Sequence, residues 1–97
     1  MPEHALAGKQ RDGSNHQRNL QKHFVSFETA VEALEDPLSV VEPDPFWRED
    51  RWRTIGLSSQ GVLFVVTTEP DEDTVRIISA REATRHEKAI YAWQARS

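Results

Sequence analysis

The sequence predicts a single α+β domain in which helices pack on an antiparallel sheet. Three observations support this fold class: apolar residues recur at helical spacing after Ser26, several short strand-like segments follow between residues 38 and 79, and a second helical pattern closes the chain. A chain of 97 residues is too short to form two separate cores. The expected order is two N-terminal helices, a β-meander of about four strands, and a C-terminal helix.

The composition excludes several classes of protein. Lys and Arg number 12 against 16 Asp and Glu, so bulk charge does not favour a protein that coats nucleic acid. The absence of cysteine excludes disulfides, thiolate zinc sites and cysteine nucleophiles. No apolar run approaches the ~20 residues of a membrane span, and the first residues do not resemble a signal peptide. We therefore expect a cytoplasmic protein.

The N-terminal region differs in composition from the rest of the chain. Residues 1–23 contain only five apolar residues, together with four basic and two acidic ones. Residues 1–13 are expected to form a flexible arm, because they cannot bury enough surface to offset the entropy lost on ordering, and residues 14–97 are expected to form the domain. Ser14 and Gln17 fit a capping box, which predicts a short polar helix over residues 15–23.

A second helix and the strands follow from periodicity. Ser26 is a suitable N-cap, the apolar residues after it repeat at helical spacing, and Asp36-Pro37 ends the helix. Strands are predicted over residues 38–45, 51–57, 62–68 and 74–79, with turns at residues 58–61 and 69–73. Such short connections predict antiparallel pairing.

A C-terminal helix is predicted to begin at Ser79. Ser79 and Glu82 fit a second capping box. Helical periodicity then gives one face directed toward the core, formed by Ala83, His86, Ile90 and Trp93. The nearly opposite face carries Arg81, Arg85 and Lys88. In this arrangement His86 is a buried histidine and Arg81 lies in the first helical turn.

Four segments of the chain resemble the BrnT-type toxins. Residues 19–30 (NLQKHFVSFETA) are similar to the family pattern "N..KH.VSF.EA". Residues 76–85 (RIISAREATR), followed by Glu87 and Tyr91, resemble the pattern "RIISAR.AT..E...Y". Glu35-Asp36-Pro37 and residues 51–56 (RWRTIG) also fit in order and spacing. The resemblance extends from about residue 19 to residue 91.

The resemblance implies a RelE-like fold and a ribonuclease toxin of a type II toxin–antitoxin pair, with no metal or cofactor, that inhibits translation. It also implies a cognate small DNA-binding antitoxin, of the ribbon-helix-helix type, which neutralises the toxin in a complex built on a toxin dimer. The sequence departs from the family in two places. Arg11-Asp12 replaces a usual Trp-Asp pair, and Phe24 stands where a glycine is usual.

Metal-free cleavage of RNA requires a proton acceptor for the 2′-OH, a donor for the leaving oxygen, and cations around the transition state. His23 is the acid–base candidate because its unperturbed pKa of ~6.5 lies near neutrality, and Lys22 beside it would hold a phosphate. The alternative for this pair is a helix end whose charges complement the dipole. The resemblance favours Arg81 as a catalytic residue at a helix N-terminus, extended by Arg85. The alternative for these arginines is a solvated helix face.

The strand over residues 51–57 offers further cations. Arg51 and Arg53 share one strand face, and the neighbouring Trp52 would stack on a base. The alternative is an edge strand whose charges discourage aggregation. Arg76 lies five residues before Arg81, so the two are expected to meet only if the strand ends near Ser79.

Glu87 and Tyr91 complete the candidate site. They would orient the arginines or transfer a proton, although a packing role for Tyr91 fits equally well. The expected catalytic residues are His23, Arg53, Arg76 and Arg81. The expected substrate-binding residues are Lys22, Arg51, Trp52, Arg85, Glu87 and Tyr91, and no metal ligand is expected.

The leading hypothesis is a metal-independent endoribonuclease toxin that a cognate antitoxin holds inactive. The alternative is a non-catalytic module that binds the antitoxin and regulates its operon. A third and weaker interpretation is a stand-alone RNA-binding domain.

Overall fold

The computed structural model of the protein describes residues 25–44 and 50–96 of the chain. The elements in order are α1 (Phe27–Leu34), β1 (Val40–Pro43), β2 (Arg51–Ser58), β3 (Gly61–Asp71), β4 (Thr74–Glu82) and α2 (Arg85–Arg96). The four strands form one antiparallel sheet in the order β1-β2-β3-β4. The predicted α+β class and four-stranded meander are therefore confirmed. The helix expected over residues 15–23, the arm expected over residues 1–13, and the candidates Lys22 and His23 lie outside the described residues.

Helix α1 begins and ends where the sequence predicts. The Ser26 hydroxyl accepts a hydrogen bond from the backbone N–H of Thr29 at 3.2 Å, which satisfies one of the free donors of the first turn. Phe27 and Leu34 are buried on the face that packs on the sheet. The helix ends before Asp36-Pro37, since the residue before a proline is disfavoured in the α region.

One face of the sheet packs against α1 and forms the core, and we name it the helix face. Leu63 and Val65 of β3 and Ile77 of β4 are buried there together with residues of α1. Gly56 marks the closest approach, because a Cβ at this position would lie 2.1 Å from the carbonyl oxygen of Ala33. The backbone of α1 therefore rests directly on β2, and only glycine permits that distance.

The two hairpin turns lie where the sequence predicts them, but one of them is shorter than predicted. Gly61 closes the β2–β3 turn with φ of 101°, a left-handed conformation that favours glycine. The predicted acidic turn over residues 69–73 is shorter than expected, because β3 continues to Asp71 and β4 begins at Thr74. The Asp71 carboxylate accepts a hydrogen bond from the backbone N–H of Asp73 at 2.9 Å, which stabilises the turn that remains.

The predicted start of the C-terminal helix at Ser79 is wrong. Strand β4 continues through Glu82, and α2 begins at Arg85. The capping box that forms is the next one in the sequence: the backbone N–H of Thr84 donates to Glu87, and the backbone N–H of Glu87 donates to the Thr84 hydroxyl at 3.2 Å. Both boxes are present in the sequence, but residues 79–82 pair with β3, and that pairing determines which box is used.

Helix α2 lies at the periphery, and none of its residues is buried. The predicted core face of this helix is therefore wrong in part: His86 is exposed, and Trp93 is 71% exposed. No helix in the described ranges is long and apolar enough to cross a membrane.

Candidate functional site

Two arginines of β2 lie on the sheet face opposite the helix face. Gly56 contacts α1, and side chains alternate along a strand, so Arg51 and Arg53 face the other way. Arg51 is paired in register with Thr68, and Arg53 with Val66. The predicted common direction of Arg51 and Arg53 is confirmed by this register.

A bulge in β4 brings Arg76 onto the same face as Arg81. Val66 pairs with Ser79 while the next residue of β3, Thr67, pairs with Ile77, so Ile78 is the extra residue. Beyond the bulge, Arg76 is opposite Thr68 and Arg81 is opposite Phe64. Thr68 and Phe64 are four residues apart on β3 and therefore share a face.

The bulge, and not a strand end, brings Arg76 and Arg81 together. The sequence predicts that the two meet only if the strand ends near Ser79, but β4 is continuous there and the bulge reverses the alternation instead. Arg51, Arg53, Arg76 and Arg81 thus lie on one surface, which we name the arginine face. Arg51 and Arg76 flank Thr68 on either side, with Cα atoms ~10 Å apart at the usual strand spacing.

The arginines of the arginine face differ in how far neighbouring groups hold them in place. At one end, Arg76 is exposed and has no ion-pair partner among the described residues. Arg53, in the middle, forms an ion pair with Glu42 of β1 at 3.0 Å. At the other end, the Arg81 guanidinium lies 4.2 Å from the centroid of the Phe64 ring, a cation–π geometry.

Glu87 holds Arg81 in place through a bidentate ion pair. The two terminal nitrogens of Arg81 donate to the two carboxylate oxygens of Glu87 at 2.7 and 3.0 Å. These hydrogen bonds lower the pKa of Glu87 below its ordinary value, against the opposing effect of burial. The same carboxylate accepts the backbone N–H of Thr84 at 2.9 Å, so one group both caps α2 and orients Arg81.

Arg81 and Arg85 do not share the helical site that the sequence predicts. Arg81 is on β4, so its surroundings are Phe64 and Glu87 and not the free N–H groups of a first helical turn. Arg85 is the first residue of α2 and is exposed. The expectation that both extend one helix N-terminal site is therefore wrong.

Trp52 lies on the opposite sheet face from its neighbours Arg51 and Arg53. Alternation along β2 places it on the helix face, opposite Thr67 in register. Its indole Nε1 is buried and has no hydrogen-bond partner in the part of the chain that the structure describes. The structure therefore does not bring Trp52 together with the arginine face.

Tyr91 binds an aspartate that connects three parts of the fold. The Tyr91 hydroxyl donates to Asp36, which also accepts the backbone N–H groups of Leu57 at 2.8 Å and Leu38 at 2.9 Å. Burial, followed by the hydrogen bond and charge of Asp36, raises the pKa of Tyr91 to about 12. Burial also opposes ionisation of Asp36, but its three hydrogen bonds outweigh this and lower its pKa.

Sequence reasoning missed Glu42, Phe64 and Thr84 as neighbours of the arginines. Thr84 had a detectable signal, because Thr84 and Glu87 have the spacing of a capping box. Glu42 and Phe64 become neighbours of Arg53 and Arg81 only through strand pairing. In the ranges that the structure describes, no three His, Asp or Glu side chains are grouped in a way that could hold a metal ion.

Comparison with known proteins identifies the family. The family model described as "Ribonuclease toxin, BrnT, of type II toxin-antitoxin system" matches residues 12–87, most of the chain. The chain belongs to the BrnT toxin family. The crystal structure of the Brucella abortus ribonuclease toxin BrnT has a similar fold, with a TM-score of 0.55 and 20% sequence identity over 79% of this chain and 96% of that chain. No curated protein matches the sequence significantly.

Membership of the BrnT family agrees with the resemblance seen in the sequence. The residues of its "RIISAR" segment form β4 with its bulge, and the Glu87 that follows them holds Arg81. This arrangement places several cations on one sheet face.

Proposed function

We propose that the protein is a metal-independent endoribonuclease whose arginine face binds the RNA backbone. The 2′ oxygen attacks the adjacent phosphorus as its proton is removed, the bond from phosphorus to the 5′ oxygen breaks, and that oxygen takes up a proton. The products are a 2′,3′-cyclic phosphate and a 5′-hydroxyl. The observation that carries the proposal is the Ile78 bulge, because it adds Arg76 and Arg81 to the face of Arg51 and Arg53.

The arginines have different parts in this proposal. Arg76 is exposed and has no ion-pair partner in the described ranges, so it is available to contact the scissile phosphate directly. Arg53 and Arg81 stabilise the negative charge of the transition state, held by Glu42 and Glu87 respectively. Arg51 contacts a neighbouring phosphate, and Arg85 as an RNA contact remains a prediction. His23 as acid–base group, Lys22 as phosphate ligand and Trp52 as a base contact remain predictions.

The biological part of the proposal follows from family membership. A type II toxin has an antitoxin partner. We infer that this toxin acts in the cytoplasm, inhibits translation by cutting RNA, and is neutralised by a small ribbon-helix-helix antitoxin in a complex containing a toxin dimer.

The proposal is tested with purified protein and a single-stranded RNA in EDTA. Cleavage is expected to proceed, to leave a cyclic phosphate, and to stop when a single 2′-deoxy nucleotide replaces the one at the cleaved position, since the nucleophile is then missing. Arg76→Ala is expected to lower kcat/KM ~100-fold, as for loss of one charge-stabilising donor. Arg96→Ala is the matched control, because Arg96 is also exposed but lies in the last turn of α2.

Two results would contradict the mechanism. Loss of cleavage in EDTA, restored by a divalent cation, would show that a metal supplies the charge stabilisation. Equal activity of Arg76→Ala and Arg96→Ala would show that the arginine face does not contact the substrate.

One observation favours the alternative function, a non-catalytic module that binds the antitoxin. Arg53 and Arg81 already have carboxylate partners in Glu42 and Glu87, which reduces the net positive charge of the face. Expression in bacteria without the antitoxin distinguishes the two functions. An active toxin arrests growth, and Arg76→Ala relieves the arrest, whereas a non-catalytic module is tolerated in both forms.

A further inference from the structure

A groove at the edge of the sheet lies outside the arginine face. It has a volume of about 440 Å³ and separates β1 and the loop before it from the C-terminal half of α2. Its lining residues are Pro37, Leu38, Ser39, Val40, Val41 and Gln94. Large apolar side chains are exposed in it and beside it: Leu38 is 54% exposed, Val41 39%, and Trp93, the neighbour of Gln94, 71%. Large apolar side chains exposed together on one edge of a small domain are typical of an interaction surface.

The backbone of β1 is available for pairing at this groove. β1 is an edge strand, and no strand in the described ranges pairs with its outer side. The N–H of Asp44 donates to the carbonyl of Arg51, so by antiparallel alternation the N–H and C=O of Val41 point outward, away from β2. An extended segment from a partner can therefore form a pair of hydrogen bonds with Val41.

The charges around the groove select the kind of partner. Residues 35–44 contain four carboxylates and no Lys or Arg; Glu42 is paired with Arg53, and the other three, Glu35, Asp36 and Asp44, leave the segment negatively charged. A segment with an apolar anchor flanked by Lys or Arg complements this surface. A second copy of the chain would instead place two acidic edges together across a two-fold axis, which like-charge repulsion disfavours.

We propose that this groove is the docking site for the antitoxin. An extended segment of the antitoxin pairs with Val41, inserts an apolar side chain between Leu38 and Gln94, and places basic residues near the negative charges of Glu35 and Asp36. The inference rests on the proposed function, because a type II toxin requires such a partner. It also separates neutralisation from catalysis, since none of the four arginines lines the groove.

The test measures the affinity of the full chain for the purified product of the antitoxin gene that neighbours its own. Leu38→Lys removes the apolar anchor site and adds a charge of the same sign as the partner, so the Kd is expected to rise tenfold or more, roughly the effect of losing one central interface residue. Leu57→Lys is the matched control, because Leu57 is equally exposed, at 50%, but does not line the groove. Trp93→Ala provides a second variant without added charge, with the same expected direction.

Two further measurements keep the outcome interpretable. Affinity of the unaltered chain is expected to fall as salt is raised from ~0.05 to ~0.5 M, because the contacts are between opposite charges. Ribonuclease activity of Leu38→Lys without antitoxin is expected to match that of the unaltered chain.

Several results would overturn the docking site. These are unchanged antitoxin affinity in both groove variants, an equal loss in Leu57→Lys, or an effect of Leu38→Lys only on self-association measured by light scattering. If RNA is not cleaved by any form but the groove variants still lose the antitoxin, the proposed catalysis fails and the docking site stands.

Discussion

The two faces of the sheet use the same four strands for different purposes. On the helix face, Leu63, Val65 and Ile77 are buried under α1, and Gly56 lets the helix backbone touch the strand. On the arginine face, cations alternate with those buried positions, and two of them, Arg53 and Arg81, are held by carboxylates from β1 and α2. We therefore expect substitutions on the helix face to lower the free energy of unfolding. Substitutions on the arginine face are expected to lower ribonuclease activity with little change in that free energy.

The Ile78 bulge is the point at which the two faces depend on each other. Before the bulge Ile77 faces the core, and after it Ala80 does, although the two positions are three apart in the sequence. Ordinary alternation would direct one of this pair outward. Because the bulge keeps both in the core, it also keeps Arg76 and Arg81 together on the other side.

The largest effect is expected on the helix face, at Gly56. Gly56→Ala places a Cβ against the carbonyl oxygen of Ala33, which is backbone and cannot move away cheaply. We expect a loss of ~3 kcal/mol or more in the free energy of unfolding, or failure to fold. Gly61→Ala is the control: no atom lies near its Cβ, so only its positive φ is strained, at a cost of ~1–2 kcal/mol. Urea unfolding measures both, and equal losses would contradict the close packing of α1 on β2.

The next effect is expected on the arginine face, at Glu87. Glu87→Gln keeps an oxygen that can accept the Thr84 N–H but loses the charge that holds Arg81. If Arg81 acts on the transition state, kcat should fall about tenfold with little change in KM, since a positioning interaction has been lost. Arg81→Lys should give a similar loss, because lysine keeps the charge without the bidentate geometry.

Thr84→Ala separates this positioning role from helix capping. It removes the hydroxyl that accepts the Glu87 N–H and leaves the carboxylate on Arg81. A stability loss of ~1 kcal/mol with unchanged kcat is expected. If Thr84→Ala lowers kcat as much as Glu87→Gln does, the pair between Glu87 and Arg81 has only a structural role.

Local patterns in the sequence predicted α1, the four strands and the common face of Arg51 and Arg53, because each depends on neighbours along the chain. The extension of β4 and its bulge were not predictable in that way. Two capping boxes compete at residues 79–82 and 84–87, and only pairing with β3 determines which one forms. The position of Trp52 on the helix face, in contrast, already follows from the two-residue period of a strand.

The smallest effect is expected where α2 meets the sheet edge, at Tyr91. Tyr91→Phe removes one of three hydrogen bonds to Asp36 and should cost ~1 kcal/mol, since the site is partly exposed. The pH dependence of the free energy of unfolding identifies the contribution of the hydrogen bond between Tyr91 and Asp36. The pKa of Asp36 is lowered, so its contribution is complete above its unfolded pKa of ~3.9 and disappears as pH falls below that value.

Tyr91 should act at the opposite end of the pH scale. Its pKa is raised to about 12, so the folded state holds the phenolic proton more tightly than the unfolded state does. The contribution of Tyr91 to the free energy of unfolding is therefore complete below an unfolded pKa of ~10 and disappears as pH rises from there toward the folded value.

Because the chain has one tyrosine, ultraviolet absorbance follows the ionisation of Tyr91 directly. Urea unfolding across the pH range should show an alkaline loss of stability that is absent in Tyr91→Phe. If the same loss persists in that variant, the bond between Tyr91 and Asp36 does not stabilise the attachment of α2, and the ion pairs Glu87–Arg81 and Lys88–Glu82 remain as its contacts with β4.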